Sequence, residues 1–406
     1  MRNLSKRYIF MVLFIVVFGM VSFTGTTTKM YDELKLFSEG LERIQSNYVE
    51  EVDPKKLIYG ALSGMARSLD PYSQFMEPDM YNETKVETEG EFGGLGLRIE
   101  IKDEILTVVA PIEGTPAYKQ GVLPGDRITK IDGKETKGLS LLESVKRLRG
   151  AKGTKVSITI YREGAKDLLE FTIVRDMIKI ESVKYKMLNE KLGYIKINEF
   201  TEKTALDLDK ALTALEKQNA EKLILDLRNN PGGLLNTCIE VCKQFIGDNK
   251  LLLSIRGRDT KMNQQFIADK DAKHKKWPMV ILVNKGSASA SEILSGVVQD
   301  YKRGRILGAK TFGKGSVQTV MPMSDGSGLR LTTAKYYLPS GRSIHEIGVT
   351  PDIIVEIPRE DEVKLMMQHE GIPLKAGEKP VKDLILEKAI ELLQPVKDPN
   401  TAKKGK

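Results

Sequence analysis

Apolar residues recur at helical spacing between residues 30 and 84, and this pattern predicts helices. The positions that carry the period are Leu34, Leu36, Phe37, Leu41, Ile44, Leu57, Ala61, Leu62, Met65 and Leu69. The pattern ends ahead of Pro71, because the residue before a proline avoids the helical region. A helical unit of this size buries little surface alone, so we expect it to dock or to support dimerisation.

Short segments in which apolar and polar residues alternate follow over residues 85–178, and alternation is typical of strands. The segments are residues 95–99, 106–109 and 156–160, with turn signals at 123–126 and 131–134. One short helix is predicted over residues 140–148, since Gly150 stops it. We therefore predict a second, mainly β unit.

Strand and helix patterns alternate over residues 179–357. The predicted strands are 194–197, 222–227 and 279–283, and the predicted helices are 204–215, 234–245 and 289–298. Strands that are apolar on both faces imply a sheet covered on both sides. Residues 358–406 add one helix, over 384–393, and a basic tail. The fold class predicted is a multidomain α/β protein.

The N-terminal segment has the pattern of an export signal. Three basic residues, Arg2, Lys6 and Arg7, precede an uncharged stretch from residue 8 to residue 28. As a helix this stretch is about 31 Å long, enough to cross a bilayer core. Positive charge ahead of it favours a cytoplasmic N-terminus and an exported remainder. We expect an uncleaved anchor over residues 1–29, with a cleaved signal peptide as the alternative.

Composition narrows the class of protein. The chain has 406 residues, 41% hydrophobic and 29% charged, which fits two to four folded units rather than a disordered chain. The basic excess, 63 residues against 55, is dispersed, so no nucleic-acid partner is predicted. The basic tetrad over residues 273–276 is expected to be a solvated loop.

Histidine and cysteine are scarce. Three separated histidines, His274, His345 and His369, make a zinc enzyme improbable and leave few bases for a Ser-His-Asp hydrolase. The two cysteines, Cys238 and Cys242, share one face of a predicted helix and would not readily pair. We expect them to be buried free thiols.

Two strand ends carry candidate chemistry, because ligands in α/β sheets gather at the carboxyl ends of strands. Residues 226–233 end in paired glycines, which allow close backbone approach to an anion, although an ordinary tight turn has the same signature. Residues 284–293 place Ser289 at a helix start. Glu292 completes a capping box, so structural capping is the alternative to a nucleophile beside free N–H groups.

A serine nucleophile needs a base, and Lys314 is the candidate. It lies between Gly313 and Gly315 in an otherwise uncharged stretch. An ordinary lysine has a pKa of about 10.4, so deprotonating it at pH 7 costs roughly 4–5 kcal/mol. Only a desolvated lysine would serve as a base.

Five segments together resemble the carboxyl-terminal processing peptidases, also called tail-specific proteases. They are residues 92–97, 226–233, 286–293, 311–318 and 348–353, in the order in which the family has them. They span most of residues 65–357, and no core position departs from the family's pattern. The resemblance implies an extracytoplasmic serine endopeptidase that uses neither a metal nor another cofactor.

The resemblance also implies roles for individual residues. Ser289 would be the nucleophile, Lys314, twenty-five residues later, the general base, and Gln318 the residue that orients the lysine. On a straight strand Lys314 and Gln318 would be about 13 Å apart, so Gly313 and Gly315 must allow a bend. The N–H groups that hold the oxyanion would come from Ala290 and from Gly232 or Gly233.

Residues 85–178 resemble a PDZ domain. Its carboxylate-binding loop would be Gly94, Leu95, Gly96 and Leu97. A peptide would pair with the strand beginning at Leu97, against the helix that bears Leu142 and Val145. The Gly-x-Gly pattern of this loop does not indicate dinucleotide binding, because that motif requires a helix directly after the loop and none is predicted there.

These inferences give five regions: an anchor or signal peptide at 1–29, a helical region at 30–84, a PDZ domain at 85–178, a protease core at 179–357 and a helical C-terminal region at 358–406. The expected partners are proteins with exposed apolar C-termini, a second copy of the chain, and the bacterial cell membrane through the N-terminal segment. The resemblance implies that the helical N-terminal unit and the helix at 384–393 support the dimer. The alternative is an inactive peptide-binding scaffold of the same fold. A lipid or retinoid binder on a related fold has no supporting apolar-pocket signal.

Overall fold

The computed structural model describes residues 30–394, apart from residues 103, 113, 180, 273, 275, 276, 370–373 and 375–377. The chain divides into two compact units, with the boundary between Glu77 and Pro78. The predicted anchor at residues 1–29 lies outside the described residues. Across the described ranges, no helix is long and apolar enough to cross a membrane.

The first unit is mainly helical. It contains α1 over residues 30–47, α2 (Pro54–Arg67) and a short strand, β1 (Gln74–Met76). The Asp53 side chain accepts the Lys55 N–H at 2.9 Å and so caps α2, which begins at a proline, as helices favour. The apolar side chains of α1, among them Leu34, Leu36 and Phe37, are exposed.

The second unit starts with a PDZ-like β-sheet. Its helices are α3 (Pro78–Glu89), α4 (Pro116–Lys119) and α5 (Leu141–Leu148). Its strands are β2 (Glu91–Gly94), β3 (Leu97–Lys102), β4 (Ile105–Pro111), β5 (Arg127–Ile131), β6 (Lys134–Glu135), β7 (Lys155–Tyr161), β8 (Leu169–Val174) and β9 (Asp176–Lys179). The strand order is β3-β4-β5-β7-β8, with β6 beside β5 and β2 paired with β9. Strand β3 is therefore at the sheet edge.

A mostly parallel sheet forms the centre of the next part of the second unit. Its strands are β10 (Val183–Asn189), β11 (Leu192–Ile197), β12 (Lys222–Asp226), β15 (Met279–Val283), β16 (Arg305–Gly308) and β19 (Ile353–Ile354). The helices around it are α6 (Thr204–Lys217), α7 (Leu235–Phe245), α8 (Ala290–Asp300), α9 (Arg359–His369) and α10 (Leu384–Leu393). Strands β11, β12, β15, β16 and β19 run parallel, and β10 is antiparallel to β11.

Both faces of this sheet are covered, as predicted. On one face Ile195, Leu225 and Ile281 pack with the apolar side chains of α6, α7 and α8. On the other face the neighbouring residues, such as Tyr194 and Ile224, pack with α10. The predicted alternation of strands apolar on both faces with helices is confirmed.

A second sheet was not predicted. It contains β13 (Leu251–Gly257), β14 (Gln264–Ile267), β17 (Ser316–Pro322) and β18 (Gly328–Tyr337), and a 3₁₀ turn at Thr260–Met262 lies between the first two. Most side chains of β17 are half-buried or exposed, and several are polar, so its sequence lacks the apolar run of a central strand. The β17–β18 hairpin carries a register shift between Val317 and Gln318.

Two smaller expectations have opposite outcomes. Cys238 and Cys242 are buried free thiols, as predicted. The expected solvated loop around residue 274 is wrong for His274, which is only 4% exposed. Its Nδ1 lies 3.1 Å from Glu216 Oε1 on α6, and its carbonyl accepts the Arg303 guanidinium at 2.8 Å. The Glu216 contact holds the imidazole against α6, and the Arg303 contact fixes the backbone of His274.

Candidate active site

A cavity of about 390 Å³ lies where the turn after β12, the start of α8 and the β17–β18 hairpin meet. It is lined by Thr84, Glu199, Phe200, Thr201, Pro231, Gly232, Gly233, Leu234, Leu235, Ser289, Ala290, Ile293, Lys314, Ser316, Val317, Gln318, Val320, Arg330 and Tyr336. The six residues that the sequence analysis assigned to the reaction therefore share one cavity. The predicted PDZ residues lie elsewhere, on β2, β3, the residues between them, and α5.

Ser289 lies at the start of α8 in a strained backbone conformation. Its φ is +55° and its ψ is −114°, a region that residues other than glycine rarely occupy. Its N–H donates to Glu292 Oε2 at 2.8 Å, so the Glu292 part of the predicted capping box is formed. Such strain persists only where the surroundings hold it, and it is concentrated at functional sites.

Glu292 joins the serine to the lysine segment. Its carboxylate is fully buried and accepts four hydrogen bonds. Oε2 accepts the N–H groups of Ser289 and Lys314 at 2.8 and 2.9 Å. Oε1 accepts the Thr311 hydroxyl at 2.5 Å and the Gly313 N–H at 2.7 Å. Four donors compensate the buried charge and fix two segments against each other, a role that the capping-box interpretation missed.

Lys314 is half-buried in the cavity wall. Burial lowers the pKa of its amine below the ordinary lysine value, the positive charge of Arg330 lowers it further, and the negative charge of Glu292 raises it. Its backbone carbonyl accepts the Tyr336 hydroxyl. A lysine with a lowered pKa carries a larger neutral fraction near neutral pH, and only the neutral amine can accept a proton.

The glycines around Lys314 allow its segment to pack closely. Gly313 has a φ of +98°, and a Cβ on Gly315 would lie 2.4 Å from the backbone nitrogen of His345. Strand β17 begins only at Ser316, so Lys314 lies outside it. The register shift before Gln318 adds a second irregularity, and both side chains line the cavity. Gln318 Nε2 donates to Ser316 Oγ at 2.8 Å.

The paired glycines of the turn after β12 lie directly against the serine. A Cβ on Gly232 would come within 2.8 Å of the Ser289 Cβ and 2.9 Å of the Ala290 nitrogen. A Cβ on Gly233 would come within 2.3 Å of the Phe200 carbonyl oxygen. The turn is therefore more than a tight chain reversal, since only glycine permits this backbone approach.

Asn230 holds the same turn in place, and the sequence analysis missed this role. Its side chain is fully buried, donates to the Ile197 carbonyl at 2.8 Å and accepts the Gly232 N–H at 2.9 Å. Its backbone carbonyl accepts the Ala288 N–H and the Ser291 hydroxyl, each at 3.0 Å. In the sequence, the signal that would have indicated this role is an asparagine two positions before a glycine pair, at the end of a buried strand.

A pair of amides makes a second connection between the two strand ends. The Asn229 N–H donates to Asn284 Oδ1 at 2.9 Å, and Asn284 Nδ2 donates to Asn229 Oδ1 at 2.8 Å. Parallel neighbours β12 and β15 bring these residues together although 55 positions separate them in sequence. Two hydrogen bonds thus join the two turns that frame the cavity.

The predicted PDZ loop runs from the end of β2 to the start of β3. Gly94 pairs with Asp176, and the Leu95 side chain is buried in the PDZ core. Gly96 has a φ of +76° and packs against Thr115, whose hydroxyl lies 3.2 Å from the Gly96 carbonyl. Leu97 starts the edge strand β3, while Leu142 and Val145 lie on α5.

Helix α3 contacts both the cavity and the PDZ-like part. Thr84 lines the cavity, and its hydroxyl lies 3.5 Å from Arg330 Nη2. On the same helix Glu83 forms an ion pair with Arg149, just beyond the end of α5. The helix therefore connects the cavity to the end of α5.

A PDZ sheet and an α/β core with a serine-bearing cavity define the class as a PDZ-containing serine peptidase. Family models agree: residues 191–355 match peptidase family S41, residues 93–173 a PDZ domain, and residues 20–80 the N-terminal domain of the activating protease CtpB.

Individual relatives are similar over most of their length. The chain is 42% identical over 360 residues to the carboxy-terminal-processing protease of Bartonella bacilliformis, covering 88% of this chain and 82% of the relative. It is 36% identical over 370 residues to the carboxy-terminal processing protease CtpA of Bacillus subtilis, covering 91% and 78%. A solved structure assigned to the S41 proteases, from Bacteroides fragilis, shares the fold, with a TM-score of 0.51, 17% identity and 87% and 92% coverage.

The chain therefore belongs to the carboxy-terminal processing proteases of peptidase family S41, which makes it a serine-type peptidase. The family resemblance seen in the sequence is confirmed.

Proposed function

We propose that this protein is an extracytoplasmic endopeptidase that selects exposed, apolar C-terminal tails through its PDZ domain and cleaves with a Ser289–Lys314 dyad. The observation that carries the proposal is the shared cavity: Ser289 and Lys314 line it together, and burial lowers the pKa of the lysine. Strain at Ser289 and the four-donor carboxylate of Glu292 support a preorganised site.

In the proposed reaction, the neutral Lys314 amine takes the Ser289 hydroxyl proton as the oxygen attacks the peptide carbonyl carbon. The tetrahedral intermediate collapses to an acyl-enzyme as Lys314 returns the proton to the leaving amine. Water, deprotonated by the same amine, then attacks the ester carbonyl; as the acyl–oxygen bond breaks, Lys314 gives this proton to the Ser289 oxygen and the peptide carboxylic acid leaves. Gln318, in the same cavity, orients the lysine.

The oxyanion would be held by the N–H groups of Gly233 and Ala290. The Gly232 N–H already donates to Asn230, whereas within the described ranges the other two N–H groups have no acceptor in the protein. Gly232 supplies the space that lets the turn approach the serine. Preorganised donors of this kind contribute about 10²–10³-fold to the rate.

The PDZ part would bind a tail by strand addition. Strand β3 is at the sheet edge, so its backbone groups are available to an extended peptide. The peptide carboxylate would meet the loop Gly94–Leu97, and its apolar side chains would pack against Leu142 and Val145. Through α3, which contacts both parts, binding would also gate the cavity.

The N-terminal region would localise the enzyme at the membrane and support its dimerisation. We propose that residues 1–29 export or anchor the chain on the outer face of the cell membrane. The exposed apolar side chains of α1 make the N-terminal unit the candidate for dimerisation. Helix α10 is less suited to that role, because Ile385 and Ala389 pack in the chain's own core.

Cleavage of unfolded casein by the full-length chain tests the dyad. Ser289→Ala and Lys314→Ala should each abolish cleavage while circular dichroism stays unchanged, and Lys310→Ala, at an exposed neighbouring lysine, should cleave normally. Cleavage that survives in either of the first two variants would remove the dyad. A folded wild-type chain that never cleaves would favour the inactive scaffold.

A further inference from the structure

Arg330 adds a second cation to the cavity that holds Lys314. It lies on β18 opposite Val320 of β17, and both residues line the cavity. The hairpin thereby places Arg330 in the wall of the same cavity, of about 390 Å³, that Lys314 lines. The Thr84 hydroxyl on α3, 3.5 Å from Nη2, lies beside the guanidinium.

Other charged and titratable groups also face the lysine segment. Helix α8 contributes Glu292, whose charge is shared among four hydrogen bonds. Glu199, after β11, lines the cavity, and Tyr336 of β18 donates to the Lys314 carbonyl. His345 packs against Gly315. Unlike the side chains of these residues, the guanidinium of Arg330 carries a permanent positive charge.

We propose that Arg330 is a positioning residue that acts on the reaction through Lys314, its permanent charge favouring the neutral form of the neighbouring amine, the form that accepts the serine proton. Two cations in one partly enclosed cavity repel, and the one that can lose its proton does so more readily. The lowering of the Lys314 pKa by Arg330 agrees with this arrangement. The negative charge of Glu292 raises the same pKa, so the protonation of Lys314 depends on both residues.

The inference rests on the proposed Ser289–Lys314 dyad, and kcat/KM against pH tests it. The full-length enzyme and its Arg330→Gln and Arg330→Lys variants are compared on one casein-derived peptide. With Arg330→Gln, the rising limb of the pH profile should move to higher pH by about one unit. At pH values below the limb kcat/KM should fall roughly tenfold, and at pH values above the limb it should change little. Arg330→Lys keeps the charge and should leave the limb near its original pH.

Two further measurements separate the possible failures. The first is the rate at which a fluorophosphonate labels Ser289, measured against pH in the absence of peptide. In Arg330→Gln its pH profile should shift by the same amount as the profile of kcat/KM. Lys335→Gln removes an exposed cation of the same strand, β18, outside the cavity lining, and should not move the limb. If Arg330→Gln does not fold, Arg330→Met takes its place.

A uniform loss at all pH values in Arg330→Gln, or the same shift in Arg330→Lys, would overturn the inference while the dyad stands. Activity retained by Lys314→Ala would remove the dyad itself.

Discussion

The peptidase cavity and the PDZ edge strand, the two regions proposed to bind peptide, are built in opposite ways. The cavity is framed by turns that buried polar groups hold in place: Glu292 accepts four hydrogen bonds, and Asn230 makes four through its side chain and its carbonyl oxygen. Strand β3 instead presents exposed positions at an open sheet edge. Bond cleavage needs fixed distances, whereas tail binding needs accessible backbone.

The largest effect is expected from removing the carboxylate that braces the cavity. Glu292→Ala leaves four donors without an acceptor, so we expect a loss of about 3–5 kcal/mol in the free energy of unfolding and no proteolysis. Urea titration measures the loss. Glu240→Ala, at an exposed glutamate, is the control and should change stability by less than about 0.5 kcal/mol. Near-equal effects in the two variants would refute the bracing role.

A methyl group on the turn should disable the cavity and spare the PDZ groove. In Gly232→Ala the added Cβ meets Ser289, so kcat should fall by about 10²–10³-fold with tail-peptide binding unchanged. Gly341→Ala is the matched control, because Gly341 also has a positive φ, +84°, but open space around it. Equal losses in both variants would show that backbone strain, and not contact with the serine, is responsible.

The reverse experiment perturbs the PDZ groove alone. Val145→Asp places a charge on the helix facing β3 and should weaken binding of an apolar tail peptide by about tenfold, measured by fluorescence anisotropy. Fluorophosphonate labelling of Ser289 would fall only if the groove gates the cavity, so it measures that coupling directly. Lys134→Asp, exposed on β6, should bind the tail normally.

The smallest effect concerns stability and its pH dependence. The lowered pKa of Lys314 means that the folded state releases its proton before the unfolded state does. The wild-type chain therefore gains stability as pH rises from that lowered pKa towards the ordinary lysine value. Lys314→Met should have the higher Tm at pH 7, and the difference should shrink towards pH 10. A difference that stays constant across this range would contradict a burial penalty on the amine.

Elements with strong apolar patterns were predicted almost to the residue. The predicted strand at 279–283 is β15 (Met279–Val283), and the predicted helix at 384–393 is α10 (Leu384–Leu393). The β17–β18 hairpin and α9 (Arg359–His369) were missed. Hairpin side chains are mostly half-buried and α9 opens with three acidic residues, so neither has a clear apolar period.

By itself the sequence determined the family, the order of its parts and the candidates Ser289 and Lys314, because these depend on residue types at short, readable spacings. Tertiary structure alone decided that Gly232 donates to Asn230, that Glu292 joins the serine to the lysine segment, and that Arg330 shares their cavity. The reason is physical. Local patterns report whether a segment buries one face, whereas a lowered pKa or an available N–H depends on groups that chain folding brings from distant positions.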